Sequence, residues 1–275
     1  MTKIWFITGA GRGFGKEFAK AALGRGDKVA ATVRKLGDVD DLVQEFGDAV
    51  LPLELDVTDR GRAFAAVEQA NTHFGRLDVV VNNAGYGLFG AVEEISEQQL
   101  RDQLEVNLFG VLHVTQAALP ILRGQGSGHI VQISTIGGVA AFPSLGGYHA
   151  SKWALEGLSE SLAQEVAPFG IKVTLVEPGG FATDWAGSSA VHAQPQAQYD
   201  ALRQGMAERS KQMPPNLTGD PVAAGPALLD IVDAAEPPLR VFFGTTPTMM
   251  VPGLYKSRLD TWEQWKHVAI AANGH

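Results

Sequence analysis

Short apolar runs alternate with longer segments of helical periodicity along most of the chain. Several of the short runs are apolar on both faces, which is typical of parallel strands that helices cover on both sides. Strands are predicted at residues 3–8, 28–33, 49–55, 77–82, 129–134, 171–177 and 239–244. Helices are predicted at roughly 13–25, 59–74, 96–123, 147–167 and 219–234. This alternation predicts an α/β fold, a doubly wound parallel sheet of about seven strands with helices on both faces.

Two segments depart from the alternation. Residues 183–216 are rich in Ala, Gln and Ser and follow a predicted strand end, so we expect a lid over a ligand crevice. Residues 247–275 carry a helical pattern through Trp262 and Trp265, and this C-terminal extension either covers the substrate opening or contacts a neighbouring subunit. The length suits one α/β domain over residues 1–275.

The formal net charge of -8 argues against partners that carry negative charge, because an acidic surface repels phosphate backbones and anionic lipid headgroups. The chain has no cysteine, which excludes disulfides and favours a reducing compartment. The apolar run from Ile4 to Ile7 is too short for a signal peptide, and no apolar segment of bilayer-spanning length is evident. We therefore expect a cytoplasmic protein that binds neither nucleic acid nor membrane.

A glycine-rich turn joins the first predicted strand to the first predicted helix. Glycines let the backbone turn tightly and approach a ligand, while the helix N-terminus offers free N–H groups and a partial positive charge. The spacing differs from G-x-G-x-x-G because position 14 is phenylalanine, and a turn that only reverses the chain is the alternative. We predict a dinucleotide pyrophosphate site formed by Thr8, Gly9, Gly11, Arg12, Gly13, Phe14 and Gly15.

The second predicted strand ends in Thr32-Val33-Arg34-Lys35, without an acid at its tip. In NAD-binding folds an acid near this point receives the adenosine ribose hydroxyls, whereas an arginine accommodates a 2′-phosphate. Arg34, together with Arg12 from the glycine turn, therefore predicts NADP rather than NAD as the cofactor. The alternative is that both arginines are solvated surface residues.

A tyrosine and a lysine four positions apart, Tyr148 and Lys152, begin another predicted helix. At this spacing both side chains can emerge on one face, although such pairs also occur by chance. Free tyrosine has a pKa of about 10, and a nearby ammonium lowers that pKa by stabilising the phenolate. Ser134 ends a strand at the same sheet edge, and Asn107 lies in an apolar helical stretch where its amide needs a partner.

Together these residues resemble the short-chain dehydrogenase/reductase family in its compact single-domain form. The resemblance extends from about Lys3 to Thr183. The matching motifs are Thr8-Gly9-x-x-x-Gly13-x-Gly15, Asp56-Val57, Asn82-Asn83-Ala84-Gly85, Asn107, Ser134, Tyr148-x-x-x-Lys152, Pro178-Gly179 and Thr183. The resemblance implies a Rossmann-like sheet and an oxidoreductase that transfers a hydride between NADP(H) and a carbonyl or secondary alcohol.

The same resemblance implies roles for individual residues. Tyr148 would be the general acid or base at the substrate oxygen, and Lys152 would lower its pKa and bind the nicotinamide ribose. Ser134 would hold the substrate oxygen, and Asn107 would bind a water that extends a proton relay through Lys152. Further cofactor contacts would come from Asp56 and Val57 at the adenine, Asn83, Ala84 and Gly85 at the adenosine-side ribose, Pro178, Gly179 and Thr183 at the carboxamide, and Phe181.

Two other functions stay open. A non-catalytic NADP(H) sensor or scaffold could use the same fold, since function belongs to sites and not to architecture. A nucleotide-sugar epimerase or dehydratase also uses a Tyr-x-x-x-Lys pair, but typically carries a C-terminal domain larger than the segment that follows Thr183 here. The full set of Asn107, Ser134, Tyr148 and Lys152 favours an enzyme. No metal is expected, because the seven histidines show no metal-binding spacing.

The sequence does not identify the substrate. Candidate pocket walls, which could equally be ordinary packing residues, are Ala140, Phe142, Leu145 and His149 near the catalytic residues and Trp185, His192, Tyr199, Met206 and Met213 in the lid. By the family resemblance, the two longest predicted helices form a homodimer or homotetramer interface. Its outward residues would be Val111, Val114, Ala117, Ala118, Leu155, Leu158 and Leu162, unless these apolar stripes face the sheet.

Overall fold

The computed structural model describes residues 2–212, 214 and 217–274. The predicted pocket residue Met213 and the predicted segment ends at Asn216 and His275 lie outside these residues. The strands are β1 (Ile4–Thr8), β2 (Lys28–Val33), β3 (Val50–Glu54), β4 (Val79–Asn82), β5 (Leu88–Phe89), β6 (Gly128–Ile133), β7 (Ile171–Pro178), β8 (Val191–His192) and β9 (Arg240–Phe243). Seven of them form one parallel sheet in the order β3-β2-β1-β4-β6-β7-β9, while β5 and β8 pair separately. The predicted doubly wound fold and its seven strands are confirmed.

Helices connect these strands on both sides of the sheet. In the described part of the chain they are α1 (Gly13–Gly24), α2 (Asp40–Phe46), α3 (Arg60–Phe74), α4 (Glu97–Leu104), α5 (Gly110–Gln125), α6 (Gly146–Val166), α7 (Asp200–Gln212), α8 (Pro221–Asp233), α9 (Thr245–Gln264) and α10 (Lys266–Ala272). A π-helical turn, Glu105–Phe109, joins α4 to α5. The five predicted helices correspond to α1, α3, α4 with α5, α6 and α8. The short helix α2 and the lid helix α7 were not predicted.

Two apolar cores occupy the two faces of the sheet. Helices α1, α2 and α8 pack on one face, and α3, α5 and α6 pack on the other. The helix Glu97–Gln125 is long and apolar enough to cross a membrane by length and composition. Its residues Val114, Ala118 and Leu122 are nevertheless fully buried against the sheet and α3. Because this burial explains the apolar stripe, the helix is a core element of the fold.

The expected outward stripes on α5 and α6 face inward. Six of the seven proposed interface residues are buried within the chain, and Leu158 alone among them is exposed. The buried ones are Val111, Val114, Ala117, Ala118, Leu155 and Leu162. An amphipathic helix on a sheet uses its apolar stripe for that sheet, so the assignment of these residues to a subunit interface was wrong.

The segment after β7 folds over the carboxyl end of the sheet. Strand β8 pairs with β5, which anchors this lid beside the loop that follows β4. The buried carboxylate of Glu94 accepts hydrogen bonds from the backbone N–H groups of Ala91 and Gln196, both at 2.7 Å, and pairs with Arg203 at 2.5 Å. These contacts hold helix α7 against the loop before α4.

Candidate active site

The glycine turn has the conformation that a dinucleotide cradle requires. Gly9 and Gly13 have positive φ angles of 67° and 53°, a region that glycine alone enters at little cost. A Cβ atom on Gly15 would lie 2.3 Å from the carbonyl oxygen of Gly9, so the close approach of helix α1 also needs glycine. Arg12, the N-cap of α1, makes no side-chain cap. The first N–H groups of α1 are thus available to an anion, and the turn fits a pyrophosphate.

Two polar side chains lock this turn to the end of β4. The Thr8 hydroxyl accepts from the backbone N–H groups of Asn83 and Ala84, both at 2.9 Å. The Asn83 amide donates to the carbonyl oxygens of Thr8 at 2.9 Å and Gly9 at 3.1 Å. Thr8 and the Asn83 amide therefore hold the shape of the turn through contacts within the protein.

One cavity of about 1310 Å³ runs along the carboxyl edge of the sheet from the glycine turn to α6. Most of the predicted site residues line it: Gly9, Gly11, Arg12, Gly13, Phe14, Arg34, Asp56, Val57, Asn83, Ala84, Gly85, Ser134, Tyr148, Lys152, Pro178, Gly179, Phe181 and Thr183. Thr8, Gly15 and Asn107 are not among the lining residues and support the wall from behind. The cavity is large enough for a dinucleotide and a small substrate together.

Tyr148 and Lys152 lie in the first two turns of α6 at the inner end of the cavity. The Lys152 Nζ atom is 6.0 Å from the centroid of the Tyr148 ring and donates to the carbonyl oxygen of Ile133 at 2.8 Å. Burial lowers the pKa of Lys152 to about 8, while the carboxylate of Glu156 acts in the opposite direction. Burial also raises the pKa of the Tyr148 phenol above its usual value.

This direction differs from the sequence expectation, which had the ammonium lowering the tyrosine pKa. Desolvation of the phenol is the larger effect, because Tyr148 is only 6% exposed and a buried phenolate loses its hydration. The phenol is consequently protonated at neutral pH in this structure.

Two neighbouring hydroxyls, those of Ser134 and Thr135, line the cavity near Tyr148 and have different partners. A hydrogen bond with the Thr135 side chain counteracts the raised pKa of Tyr148, and Thr135 lines the cavity. The Ser134 hydroxyl instead donates to Glu156 Oε1 at 2.5 Å inside the protein. Successive side chains of an extended backbone point to opposite sides, so a shift of one residue separates the two roles. The role expected for Ser134 stays a prediction, since Ser134 also lines the cavity, and Thr135 is a second candidate for that role that sequence reasoning missed.

Asn107 is fully buried in the π-helical turn between α4 and α5. Its amide oxygen accepts from the backbone N–H of Tyr86 at 3.1 Å, and its amide nitrogen donates to the Tyr86 carbonyl at 3.0 Å and to the Ser151 hydroxyl at 3.2 Å. A Cβ on Gly85 would lie 3.1 Å from the Asn107 amide oxygen and 3.8 Å from Lys152 Nζ. Asn107 thus fixes the loop after β4 close to the lysine.

Aromatic side chains form the substrate end of the cavity. The lid residue Trp185 packs on the ring of Tyr148 with centroids 4.9 Å apart and on Phe89 at 5.2 Å. Of the other candidate wall residues, Phe142, Leu145 and His149 line the cavity. The remaining described candidates, Ala140, His192, Tyr199 and Met206, do not line it; His192 stacks on Phe89 and the Tyr199 hydroxyl donates to Glu93.

The opposite end of the cavity is charged. Arg34 and Lys35 are exposed at its wall and form no ion pair with any residue that the structure describes. Arg12 reaches across to the lid and pairs with Asp184 at 3.2 Å. Asp38 also lines this end, and its Cβ lies 2.8 Å from the position of a Cβ on Gly11. The sequence reasoning overlooked this acid because it follows the strand tip by several residues.

Known proteins resemble between two thirds and nearly all of the chain. The sequence matches the short chain dehydrogenase family over residues 3–193. It is 43% identical over 273 residues to the oxidoreductase BOA17 of Botryotinia fuckeliana, which covers 99% of this chain and 100% of that protein. It is 45% identical over 181 residues to a 3-ketodihydrosphingosine reductase of Bacteroides thetaiotaomicron, covering 66% of this chain and 65% of that protein.

Solved structures agree with the fold. A short-chain dehydrogenase from Streptomyces avermitilis superimposes with a TM-score of 0.90 at 39% identity over 98% of both chains. A Burkholderia cenocepacia relative in complex with NADP has a TM-score of 0.75 at 27% identity, over 96% of this chain and 97% of that chain. A Burkholderia phymatum relative in complex with NAD has a TM-score of 0.77 at 26% identity, over 91% of both chains. Because sequence and structure agree over most of the chain, the protein belongs to the short-chain dehydrogenase family of oxidoreductases.

Proposed function

We propose that the protein transfers a hydride between NADP(H) and a carbonyl or secondary alcohol substrate, with Tyr148 as the proton donor or acceptor. The observation that carries the proposal is that the glycine turn and the Tyr148–Lys152 pair open on one cavity. A dinucleotide held at the turn would extend along the sheet edge toward the tyrosine. The substrate oxygen would then lie between Tyr148 and Thr135.

The side chains at the inner end suit the reduction direction. The bound nicotinamide would supply the hydride, and the substrate oxygen would need a proton and a hydrogen bond as it gains charge. Tyr148 would donate the proton, and its raised pKa keeps that proton in place at neutral pH. The Lys152 ammonium would stabilise the phenolate left behind. Thr135 would give the second hydrogen bond, and Trp185 would exclude water.

The preference for NADP rests on the charged end of the cavity. Arg34 and Lys35 offer two cations to a 2′-phosphate, and Arg12 could join them by releasing Asp184. Asp38 supports the other candidate, NAD, because a carboxylate can accept from ribose hydroxyls. Comparing the dissociation constants of NADPH and NADH in the wild type and in Arg34→Ala decides between them. Tighter binding of NADH by the wild type would overturn the NADP proposal.

The experiment that tests the proposed chemistry compares two tyrosine variants from the same cavity. Absorbance at 340 nm reports NADPH oxidation with a panel of apolar ketones and aldehydes. Tyr148→Phe should lose turnover and keep its NADPH affinity, whereas Tyr86→Phe, the matched control, should stay active. Wild-type turnover by Tyr148→Phe would contradict the assignment. NADPH binding without turnover of any carbonyl by the wild type would favour the sensor or scaffold function.

We also propose that the protein works as a homodimer or homotetramer, as the family resemblance suggests. The interface would use surfaces other than the buried stripes of α5 and α6. Sedimentation velocity at micromolar concentration tests this assembly, and a monomer alone would contradict it.

A further inference from the structure

A polar cluster with two buried carboxyl groups lies beside Lys152; among its members Ser134 lines the cavity, and Glu160 at its outer edge is exposed. Its members come from four elements of the sheet edge: Glu156 and Glu160 on α6, Ser134 after β6, Glu177 on β7 and Arg240 on β9. Glu156 is 5% exposed and Glu177 is 1% exposed. Burying a carboxylate costs desolvation free energy, and such groups rarely occur in proteins without partners. Their position beside the helix that carries Tyr148 therefore indicates a function.

The Glu156 carboxylate is held at both oxygens. Its Oε1 atom accepts from the Ser134 hydroxyl at 2.5 Å, and its Oε2 atom accepts from Arg240 Nε at 3.0 Å. Arg240 also donates to Glu160 Oε2 at 2.8 Å. Gly138 leaves the space for this arrangement, because a Cβ there would lie 2.6 Å from the Ser134 hydroxyl and 2.8 Å from Glu156 Oε1. The hydroxyl and the guanidinium thus fix the position of the Glu156 side chain, and both counteract the burial that raises the pKa of its carboxyl.

Lys152 lies one helical turn before Glu156 on the same face of α6. The lysine is 6% exposed, and its one hydrogen bond to the protein among the described residues goes to a backbone carbonyl, that of Ile133. A neutral carbonyl does little to offset the lost hydration of an ammonium. Burial lowers the pKa of Lys152 and raises the pKa of Glu156, and the attraction between the two opposite charges counteracts both shifts.

We propose that Glu156 is a positioning residue that keeps Lys152 in its ammonium form at neutral pH, so that the lysine can support proton transfer by Tyr148. This inference rests on the proposed function. The other charges around Glu156 do not replace it: Arg240 and Glu160 pair with each other at the cluster edge, and Glu177 contacts Arg240 at 3.5 Å. Burial raises the pKa of Glu177 to about 8, so this second carboxyl is mostly protonated and uncharged at neutral pH.

The test titrates Lys152 directly by NMR of protein labelled at the lysine Cε carbon, with Lys152→Arg used only to assign the signal. In Glu156→Gln the proton affinity of Lys152 should fall about tenfold or more, which is one pKa unit. Glu160→Gln is the matched control, since it removes a carboxylate that lies on the same helix and pairs with the same arginine, Arg240. It should change the proton affinity less than about twofold, because Glu160 lies on the far side of Arg240.

The pH profile of kcat/KM for ketone reduction is the second measurement. In Glu156→Gln its alkaline limb should move to lower pH, so that the loss relative to wild type is about tenfold at pH 8.5 and less than about twofold at pH 6. Glu156→Asp keeps the charge and should restore most of the wild-type profile. A merely structural role would lower activity equally at every pH.

The outcomes separate the two proposals. An unchanged Lys152 titration in folded Glu156→Gln overturns the role of Glu156. Failure of both Glu156 variants to fold, while Glu160→Gln folds, shows a structural role and overturns it as well. If the wild type reduces no carbonyl but the Lys152 titration still shifts, the electrostatic coupling stands and the proposed function fails.

Discussion

Thr135→Val exchanges the hydroxyl beside Tyr148 for a methyl group at nearly constant size. Thr135 lines the cavity, its hydroxyl accepts from the backbone N–H of Gly137 at 3.1 Å, and its side chain counteracts the raised pKa of the buried phenol. We expect this hydroxyl to hold the substrate oxygen as charge develops on it. Removing one such donor from a water-excluded site lowers kcat about 100- to 1000-fold, equivalent to about 2.7–4 kcal/mol. Cofactor affinity should stay close to that of the wild type.

Ser134→Ala is the comparison, because it deletes a hydroxyl only one residue away. It breaks the buried hydrogen bond to Glu156, which Arg240 continues to pair. A hydrogen bond to a charged group contributes about 1.5–3 kcal/mol, so the free energy of unfolding should fall by that amount. At pH 7 the value of kcat/KM should change by less than about threefold.

The assays are NADPH oxidation at 340 nm with the best carbonyl substrate and urea denaturation of each variant. We thus predict that Thr135→Val loses most of its activity, and about 0.5–2 kcal/mol of stability because its hydroxyl also accepts from the Gly137 N–H at 3.1 Å. Ser134→Ala should lose stability and keep its activity. The reasoning is refuted if Ser134→Ala loses activity 100-fold or more while Thr135→Val stays active. That result would support the role that the sequence suggested for Ser134.

Three further substitutions test separate contacts. Gly15→Ala places a Cβ 2.3 Å from the Gly9 carbonyl oxygen, so the turn must open and calorimetry should show NADPH binding weakened at least about tenfold. Gly87→Ala places a Cβ 2.6 Å from Trp185, and the displaced indole should change the tryptophan fluorescence and raise KM for apolar substrates without changing cofactor affinity. Glu177→Gln removes a carboxyl whose folded-state pKa is raised to about 8. Because that raised pKa makes wild-type stability fall as pH rises from about 4.5 to 8, the variant should be about 2–4 kcal/mol more stable in urea at pH 8 and should lose most of this gain by pH 5.

Local patterns predicted the sheet because the apolar pattern of each strand is contained within a few consecutive residues. The two-sided apolar runs of β1 and β4 and the glycine turn after β1 need no distant contact to be recognised. Helix α7 was missed because it buries no residue and so has no apolar stripe. The apolar stripes of α5 and α6 were recognised correctly, but periodicity does not say whether such a stripe faces the sheet or another subunit.

The candidate site shows the same division. Tyr148 and Lys152 could be paired from sequence, since four residues on a helix bring two side chains to one face. Sequence could not decide whether Ser134 or Thr135 holds the substrate oxygen, because that depends on which side of the strand end faces α6. The direction of the Tyr148 pKa shift could not be predicted from sequence either. Desolvation depends on which residues cover the phenol, and one of them, Trp185, comes from the lid, which is distant along the chain.

By itself, the sequence determined the order of strands and helices, the glycine turn and the Tyr148–Lys152 spacing, all of which depend on residues close together along the chain. Tertiary structure alone decided that Asp38 lies against the glycine turn and that Glu156 meets Ser134 and Arg240 beside the lysine. Burial and electrostatic coupling are set by neighbours from separate elements. Only the packed chain brings those neighbours within reach of one another.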